Sequence, residues 1–528
     1  MDTTDRPPAR VWLGLIAVSL GVALIVVDIT IVNVIVAPII EDLSITSIEA
    51  QWIQESYAIV FAALLLLSGR LADLHGARKI FLIGLAIFGL TSLLAMIAPN
   101  GTLLIAARFA QGIGGAMILP TSLALVNTAF TGKARGQAFA IWGSTIGAAA
   151  AVGPLLGGWL ADFSWRWAFG INIPLVAVIA LGVLRYLPAA PRIPGRVDRV
   201  GAALSAAGLG LLAFALIEGR SHGWVRTVEP LTIGGFIWHS GPSPVLIAFL
   251  VAALALVAFW LRQAALRRSG GEPLMDVDLF GISSFRTGNV VTLLVGLGEF
   301  GIIAVLPLWL QFTLDYSAFQ AGLALVALAV GSFCASGASF SLRVSALAQV
   351  RIGLLLEVGG LVLLGLIAAT ETRWWAIAAA LFVYGIGVGF ATAQVTNVVL
   401  ADVPIERAGQ GSGIQSTARE LGSALGIAVL TTLFFSVLGS GLRDRLAGSP
   451  GADQLSESVT ASAGAQIPAL ATDPSTAPAA DAARDAMSSA LEISSYACAA
   501  LLFLALAASA FISAGTDSPA PAATAHAP

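Results

Sequence analysis

Charge is what this chain has least of. Only 11% of its 528 residues are Asp, Glu, Lys or Arg, whereas soluble domains carry roughly 25%. A water-facing shell cannot be made from so little charge around 57% hydrophobic residues, so an ordinary soluble globule is excluded. Basic clusters are too short for a phosphate-binding face, which excludes nucleic acid as a partner. Four histidines and two cysteines form no metal or nucleophile constellation at recognisable spacing, so neither a metal, a cofactor nor an enzyme's nucleophile is expected. Cys334 and Cys498 both fall in apolar runs and read as buried free thiols. A GxxxxGK[ST] phosphate loop is missing too, because Gly132 and Lys133 are followed by Ala134, and ATP is unsupported as an energy source. Gly385, Gly387 and Gly389 in YGIGVGF echo a dinucleotide fingerprint, but they lie within an apolar span with no strand before them. Helix packing explains them better.

What the chain does have is hydropathy, with a mean of +0.90. A hydrocarbon core about 30 Å thick needs roughly 20 residues of helix. On that basis six spans come first: Val11–Ala37, Gln51–Arg70, Ile80–Ala98, Thr102–Thr128, Gly136–Ala161 and Trp167–Leu187. A Pro/Arg-rich link leads to two more, Val200–Ile217 and Pro244–Leu261. After a second charged linker come Asn289–Phe312, Ala321–Leu342, Ile352–Thr370, Trp374–Leu400, Gly409–Leu438 and Leu491–Ala514. The expected architecture is an all-α integral membrane protein of fourteen spans in a six, two, six arrangement. Residues 1–187 form a first six-helix bundle, 188–286 a linker with two additional helices, 287–514 a second six-helix bundle, and 515–528 a disordered tail. The stretch 439–490, rich in Ala, Ser, Pro and Asp, reads as a long external loop. Leu231–Trp238 is too short to span and is expected at the interface, anchored by Trp224 and Trp238. The first span carries Asp28 and Asn33 and no small-residue cleavage site, so it reads as a retained helix.

Lys and Arg concentrate in alternate loops, at Arg78 and Lys79, Lys133 and Arg135, Arg185 to Arg199, Arg262 to Arg286, and Arg343 with Arg351. That bias places both termini in the cytoplasm of a multi-pass protein of the cell membrane. The bilayer is thus one expected partner.

Ionisable groups inside spans are costly and face a cavity or a partner. Asp28 lies about 14 Å and Arg108 about 9 Å from the outer ends of their helices at 1.5 Å per residue. These depths permit either a static ion pair or a carboxylate that gains and loses a proton beside an arginine. Glu299 lies about 15 Å from Asn289, near mid-bilayer. Glu357, Arg419 and Glu420 are weaker candidates. Thr30 and Asn33 either bond and pack between helices or line a cavity. Gln111, Gln311, Gln394 and Asn397 are further cavity candidates.

GRLADLHGARK, Gly69–Lys79, connects two spans by a very short basic loop. Gly69 and Gly76 permit a tight turn and close packing, Asp73 can meet a helix N-terminus, and His75, Arg78 and Lys79 hold the loop on the cytoplasmic side. The stretch resembles the gating loop between the second and third helices of the major facilitator superfamily. Arg108, Gln111, Gly112, Gly114 and Gly115 resemble that superfamily's fourth-helix motif, which implies a part for Arg108 in proton coupling. Asp28, Thr30, Asn33 and Pro38 resemble the first-helix pattern of its fourteen-helix drug:proton antiporters. Gly153, Pro154, Gly157 and Gly158 resemble the antiporter motif, with alanine at positions 140 and 149 where glycine is expected. ARELGSALGIAV, holding Arg419 and Glu420, resembles the thirteenth-helix pattern of the same branch and is expected to be a local salt-bridged element. The second half shows no copy of the loop, since SLRVSALAQVRIG has no aspartate.

The resemblance implies a proton-coupled exporter of hydrophobic or amphipathic, often cationic, drugs, acting as a monomer, with Asp28, Arg108 and Glu299 carrying the coupling. The alternatives are export of an endogenous metabolite, lipid precursor or siderophore, and a non-transporting membrane sensor.

Overall fold

The computed structural model describes residues 8–512 except 46, 162, 189–191, 193, 234–235, 343 and 448–450. The tail 515–528, Arg343, and the side chains of Asn33 and Pro154 lie outside the described residues. The first half comprises α1 (Ala9–Leu43), α2 (Ser47–His75), α3 (Ala77–Met96), α4 (Gly101–Ala129), α5 (Gly132–Ala161), α6 (Arg166–Gly170) and α7 (Asn172–Tyr186). An inserted pair follows, α8 (Arg199–His222) and α9 (Pro244–Arg268), with strands β1 (Leu231–Ile233) and β2 (Phe236–Trp238) between them. The second half holds α10 (Ser283–Phe312), α11 (Ala318–Ser341), α12 (Ala346–Ile367), α13 (Trp374–Leu400), α14 (Ala408–Arg445), α15 (Ala452–Ala461), α16 (Ile467–Thr472) and α17 (Ala477–Ser509). Among the described residues thirteen helices are long and apolar enough to cross a membrane. The 30-residue α5 adds the fourteenth element of the bundle.

Local chemistry sets the helix ends. Asn100 caps α4 by accepting from the Leu103 N–H at 2.9 Å, and Ser243 with Pro244 opens α9. Ser317 and Gln320 close a reciprocal capping box on α11, each satisfying an amide the first turn leaves unpaired. Between α2 and α3 the chain turns at Gly76 with φ 89°, a left-handed conformation that a side chain would strain.

The two halves repeat one packing scheme. α1 packs on α5 and α7, α2 on α4, and α3 on α4 and α7; correspondingly α10 packs on α14 and α17, α11 on α13, and α12 on α13 and α17. Such parallel repeats place the functional groups at the interface between halves. The halves meet through α2 with α14 and α5 with α11 and α13. Large side chains remain on the outside, Leu254 at 71% and Leu366 at 68% exposure, because lipid tails are their solvent.

Two expectations need correction. The stretch 439–490 is mostly helical: α14 runs to Arg445, α15 and α16 follow, and α17 begins at Ala477. Its alanines favour helix, and Val459, Ile467, Ala480 and Ala483 are fully buried, a pattern too small in side-chain volume to register as an apolar run. Cys334 is exposed while Cys498 is buried, because an apolar residue on a lipid-facing surface need not enter the core. In the segment expected at the interface, β1 pairs antiparallel with β2, Leu231 opposite Trp238, and Trp238 Nε1–H donates to the Pro242 carbonyl at 3.1 Å.

Candidate functional site: a buried charge network and a closed gate

The first-half charges converge. Arg108 of α4 pairs through Nη1 with Asp28 Oδ2 of α1. Its Nη1 also donates to Gln111 Oε1 at 2.7 Å, and its Nε to the Ile53 carbonyl at 3.0 Å. Gln111 Nε2 then donates to Asp28 Oδ1 at 3.0 Å and to Ser92 Oγ at 2.9 Å. From the start of α7, Asn172 Nδ2 reaches the same Asp28 oxygen at 2.9 Å and Ser92 Oγ at 3.2 Å. Asp28, Ser92 and Gln111 are 0% exposed, and Arg108 and Asn172 1%. The Arg108 guanidinium lies 4.6 Å from the Tyr57 ring centroid. Charges withdrawn from water this completely persist only when every lone pair and N–H finds a partner. The network ties α1, α2, α3, α4 and α7 around one carboxylate. Sequence reasoning found Asp28, Arg108 and Gln111 but missed Ser92 and Asn172, the latter standing in GINIP at a helix start.

A contact between the halves is the second construction. Asp73 accepts from the backbone N–H of Gly409 at 2.6 Å through Oδ1 and of Gln410 at 2.9 Å through Oδ2. These are amides of the first turn of α14, so a carboxylate in one half caps a helix of the other and meets its positive dipole end. Gly69 makes the approach possible, since a Cβ there would lie 3.0 Å from Gly413 Cα. Arg78 donates to the Leu184 carbonyl at 2.5 Å, while Lys79 is exposed. Nearby, Arg135 Nε donates to Asn397 Oδ1 at 3.1 Å, and Asn397 Nδ2 to Gln394 Oε1 at 3.2 Å. Gln394 Nε2 reaches the Gly136 carbonyl and Ser339 Oγ, each at 3.2 Å. Two cavity candidates, Gln394 and Asn397, therefore sit in the seam between α5 and α13, where Arg135 was not anticipated.

A polar strap crosses this same end. Glu272, between α9 and α10, pairs with Arg70 at 3.5 Å and accepts from the Arg196 N–H. Asp276 pairs with Arg407 at 2.6 Å, and its N–H donates to Gln410 Oε1 at 2.8 Å. One segment therefore holds α2 of the first half and the start of α14. Its base is the Asp198–Arg262 pair at 2.7 Å. Burial alone raises the Asp198 carboxyl, but hydrogen bonds from Arg262, Gly201 and Gln263 outweigh it and leave the group below its ordinary value. At the opposite end, hydrogen bonds from Arg166 and Trp165 hold the Asp42 carboxyl below its ordinary value.

The remaining candidates are placed singly. Thr30 Oγ1 donates to its own helix, to the Val26 carbonyl at 2.9 Å, and packs against Gly153 of α5. Gln311 Nε2 likewise bonds the Pro307 carbonyl at 3.2 Å. Gly157 is buried, and a Cβ on Gly158 would meet nothing within 4 Å. Glu299 accepts from the Thr392 hydroxyl at 2.6 Å and stays apart from the Asp28 network, in the other half. Counted from the first residue of each helix, Arg108 and Gln111 correspond to Leu381 and Tyr384, so the second half has no copy of the cation. Arg419 and Glu420 form no mutual salt bridge among the described residues.

Comparison with known proteins agrees with this architecture. Residues 18–427 match the model of the Major Facilitator Superfamily. The chain is 33% identical over 454 residues to a probable actinorhodin transporter of Streptomyces coelicolor, covering 83% of this chain and 75% of that one. It is 31% identical over 444 residues to the multidrug efflux pump LfrA of Mycolicibacterium smegmatis, covering 82% of each. The crystal structure of the human organic anion transporter MFSD10 superposes with a TM-score of 0.61 at 16% identity, over 96% of this chain and 100% of that one, a likeness of fold. With the repeated bundle and a family match across most of its length, the chain belongs to the Major Facilitator Superfamily of membrane transporters.

Proposed function

We propose that this protein is a proton-coupled exporter of hydrophobic or amphipathic small molecules across the cell membrane. The single observation that carries the coupling is Asp28: a carboxylate with no exposure, held by Arg108, Gln111 and Asn172. A proton arriving there removes the charge that orders four neighbouring helices, and its departure restores it. The names of the similar proteins, an actinorhodin transporter and a multidrug efflux pump, support export as the direction and drugs or antibiotics as the cargo. They equally favour a second reading, in which the natural cargo is a metabolite of the producing cell.

Alternating access follows from the repeat. The halves rock about the seam so that a midplane site opens first to one side and then to the other. The Gly69–Lys79 loop and both termini belong to the cytoplasmic side in this reading, and the contacts of Asp73 and Arg135 support a state sealed there.

Asp28→Asn tests the proposal. In inverted vesicles with an imposed pH gradient, the variant should insert at the wild-type level yet lose proton-driven efflux of a fluorescent amphipathic dye. Unchanged efflux would remove Asp28 from the mechanism.

A further inference from the structure

One buried cation is used by neither the gate nor the Asp28 network. Arg419 lies about 16 Å into α14 from Ala408 at 1.5 Å per residue, near the middle of a slab about 30 Å thick. It is 6% exposed. Among the described residues its buried Nη1 has no hydrogen-bond partner, and no carboxylate stands within ion-pair distance of it. Its surroundings are aromatic and come from both halves. The Trp142 ring of α5 is 6.0 Å from the guanidinium carbon, and the Phe300 ring of α10 is 5.9 Å away. Glu299 is bonded instead to the Thr392 hydroxyl, and Glu420 makes no ion pair with Arg419 among the described residues.

A guanidinium presents five N–H groups in a rigid planar fork, and removing water from them without supplying acceptors costs several kcal/mol. Arg108 shows what a satisfied buried arginine looks like in this protein. Arg419, by contrast, keeps an unbonded donor at membrane mid-depth, with an aromatic ring of each half about 6 Å away.

We propose that Arg419 is the polar anchor of the substrate site, and that the cargo carries an acidic or strongly accepting oxygen, such as a carboxylate or phenolate, on a flat apolar body. This rests on the export reading above and departs from the expected cationic cargo. Of the acids expected to carry the coupling, Asp28 is already occupied by Arg108, Gln111 and Asn172 and Glu299 by the Thr392 hydroxyl, which leaves buried Glu357, with no hydrogen-bond partner on either oxygen among the described residues, as the competing anchor for a cation.

Three dansyl probes of one ring system test the charge preference: dansylglycine, its neutral amide and the amine dansylcadaverine. They are titrated against the full-length protein in nanodiscs, with energy transfer from tryptophan as the signal and no pH gradient. Dansylglycine should bind about tenfold more tightly than the amide, the worth of one charge-assisted hydrogen-bonded pair, and dansylcadaverine should bind most weakly. Arg419→Gln should erase the difference between acid and amide, and Arg419→Lys should keep part of it, since a point charge replaces the fork. Tightest binding by dansylcadaverine, no saturable binding of dansylglycine, or an undiminished acid preference in Arg419→Gln would each overturn the proposal. The wild-type ranking stands even if a variant fails to fold. Because no gradient is present, a failure of proton coupling would sink the export reading without touching this result.

Discussion

At the residue scale the account turns on Arg108. Its fork joins Asp28, Gln111 and the Ile53 carbonyl at once, a geometry a lysine ammonium cannot copy although it keeps the charge. Each hydrogen bond lost to a charged group is worth about 1.5–3 kcal/mol, so Arg108→Lys should lower the efflux rate roughly tenfold or more. Dye efflux from vesicles matched for protein content measures this, and a lysine variant with wild-type rate would show that charge alone suffices. The residues of the network differ in how visible they are in the sequence. A charge within an apolar run announces itself, which is why Asp28, Arg108 and Glu299 stand out. Asn172 and Ser92 do not, because small polar residues are common in membrane helices for packing reasons and only the fold brings them to Asp28.

At the element scale the loop Gly69–Lys79 and the start of α14 act as one device. Asp73 and the amides it caps are more than 330 positions apart, so the sequence discloses a carboxylate able to meet a helix N-terminus but not which helix. The same holds for Arg135 and Asn397, whose hydrogen bond spans 262 positions. Removing a cap costs about 1 kcal/mol, and a cost of that size changes a two-state ratio roughly fivefold. Asp73→Ala should therefore shift the protein toward a state with this end open. Spin labels at Lys79→Cys and Glu406→Cys, in a background with Cys334→Ser and Cys498→Ser, report the distance. The distribution should gain a longer component, and an unaltered distribution would show that the cap does not hold the gate. The strap through Glu272 and Asp276 spans the same seam and gives the inserted pair, of which α8 packs on α2 and α14 and α9 on α8, a place at this end. The start of α17, residues 477–490, reads as loop in the sequence because its alanines supply helix propensity without marking one face, while its continuation falls in the expected span Leu491–Ala514.

At the scale of the whole molecule, fourteen spans were legible because a bilayer permits few ways to satisfy a backbone, and runs of about 20 apolar residues are the commonest. The six, two, six grouping of spans was legible in the apolar runs, and the matching contacts of α1 with α5 and of α10 with α14 show the repeat in three dimensions. The halves are alike in scaffold and unlike in charge: the first closes a satisfied network around Asp28, while the second holds Glu299 on a single hydroxyl and leaves Arg419 without a bonded acceptor.

The central claim is that cargo and protons move in opposite directions through one protein. Purified protein in liposomes that enclose a pH-sensitive dye, given a gradient of fluorescent amphipathic substrate and no imposed pH difference, tests it directly. Protons should move against the substrate flux, and Asp28→Asn should abolish that movement. Substrate flux with no accompanying proton movement would contradict the account.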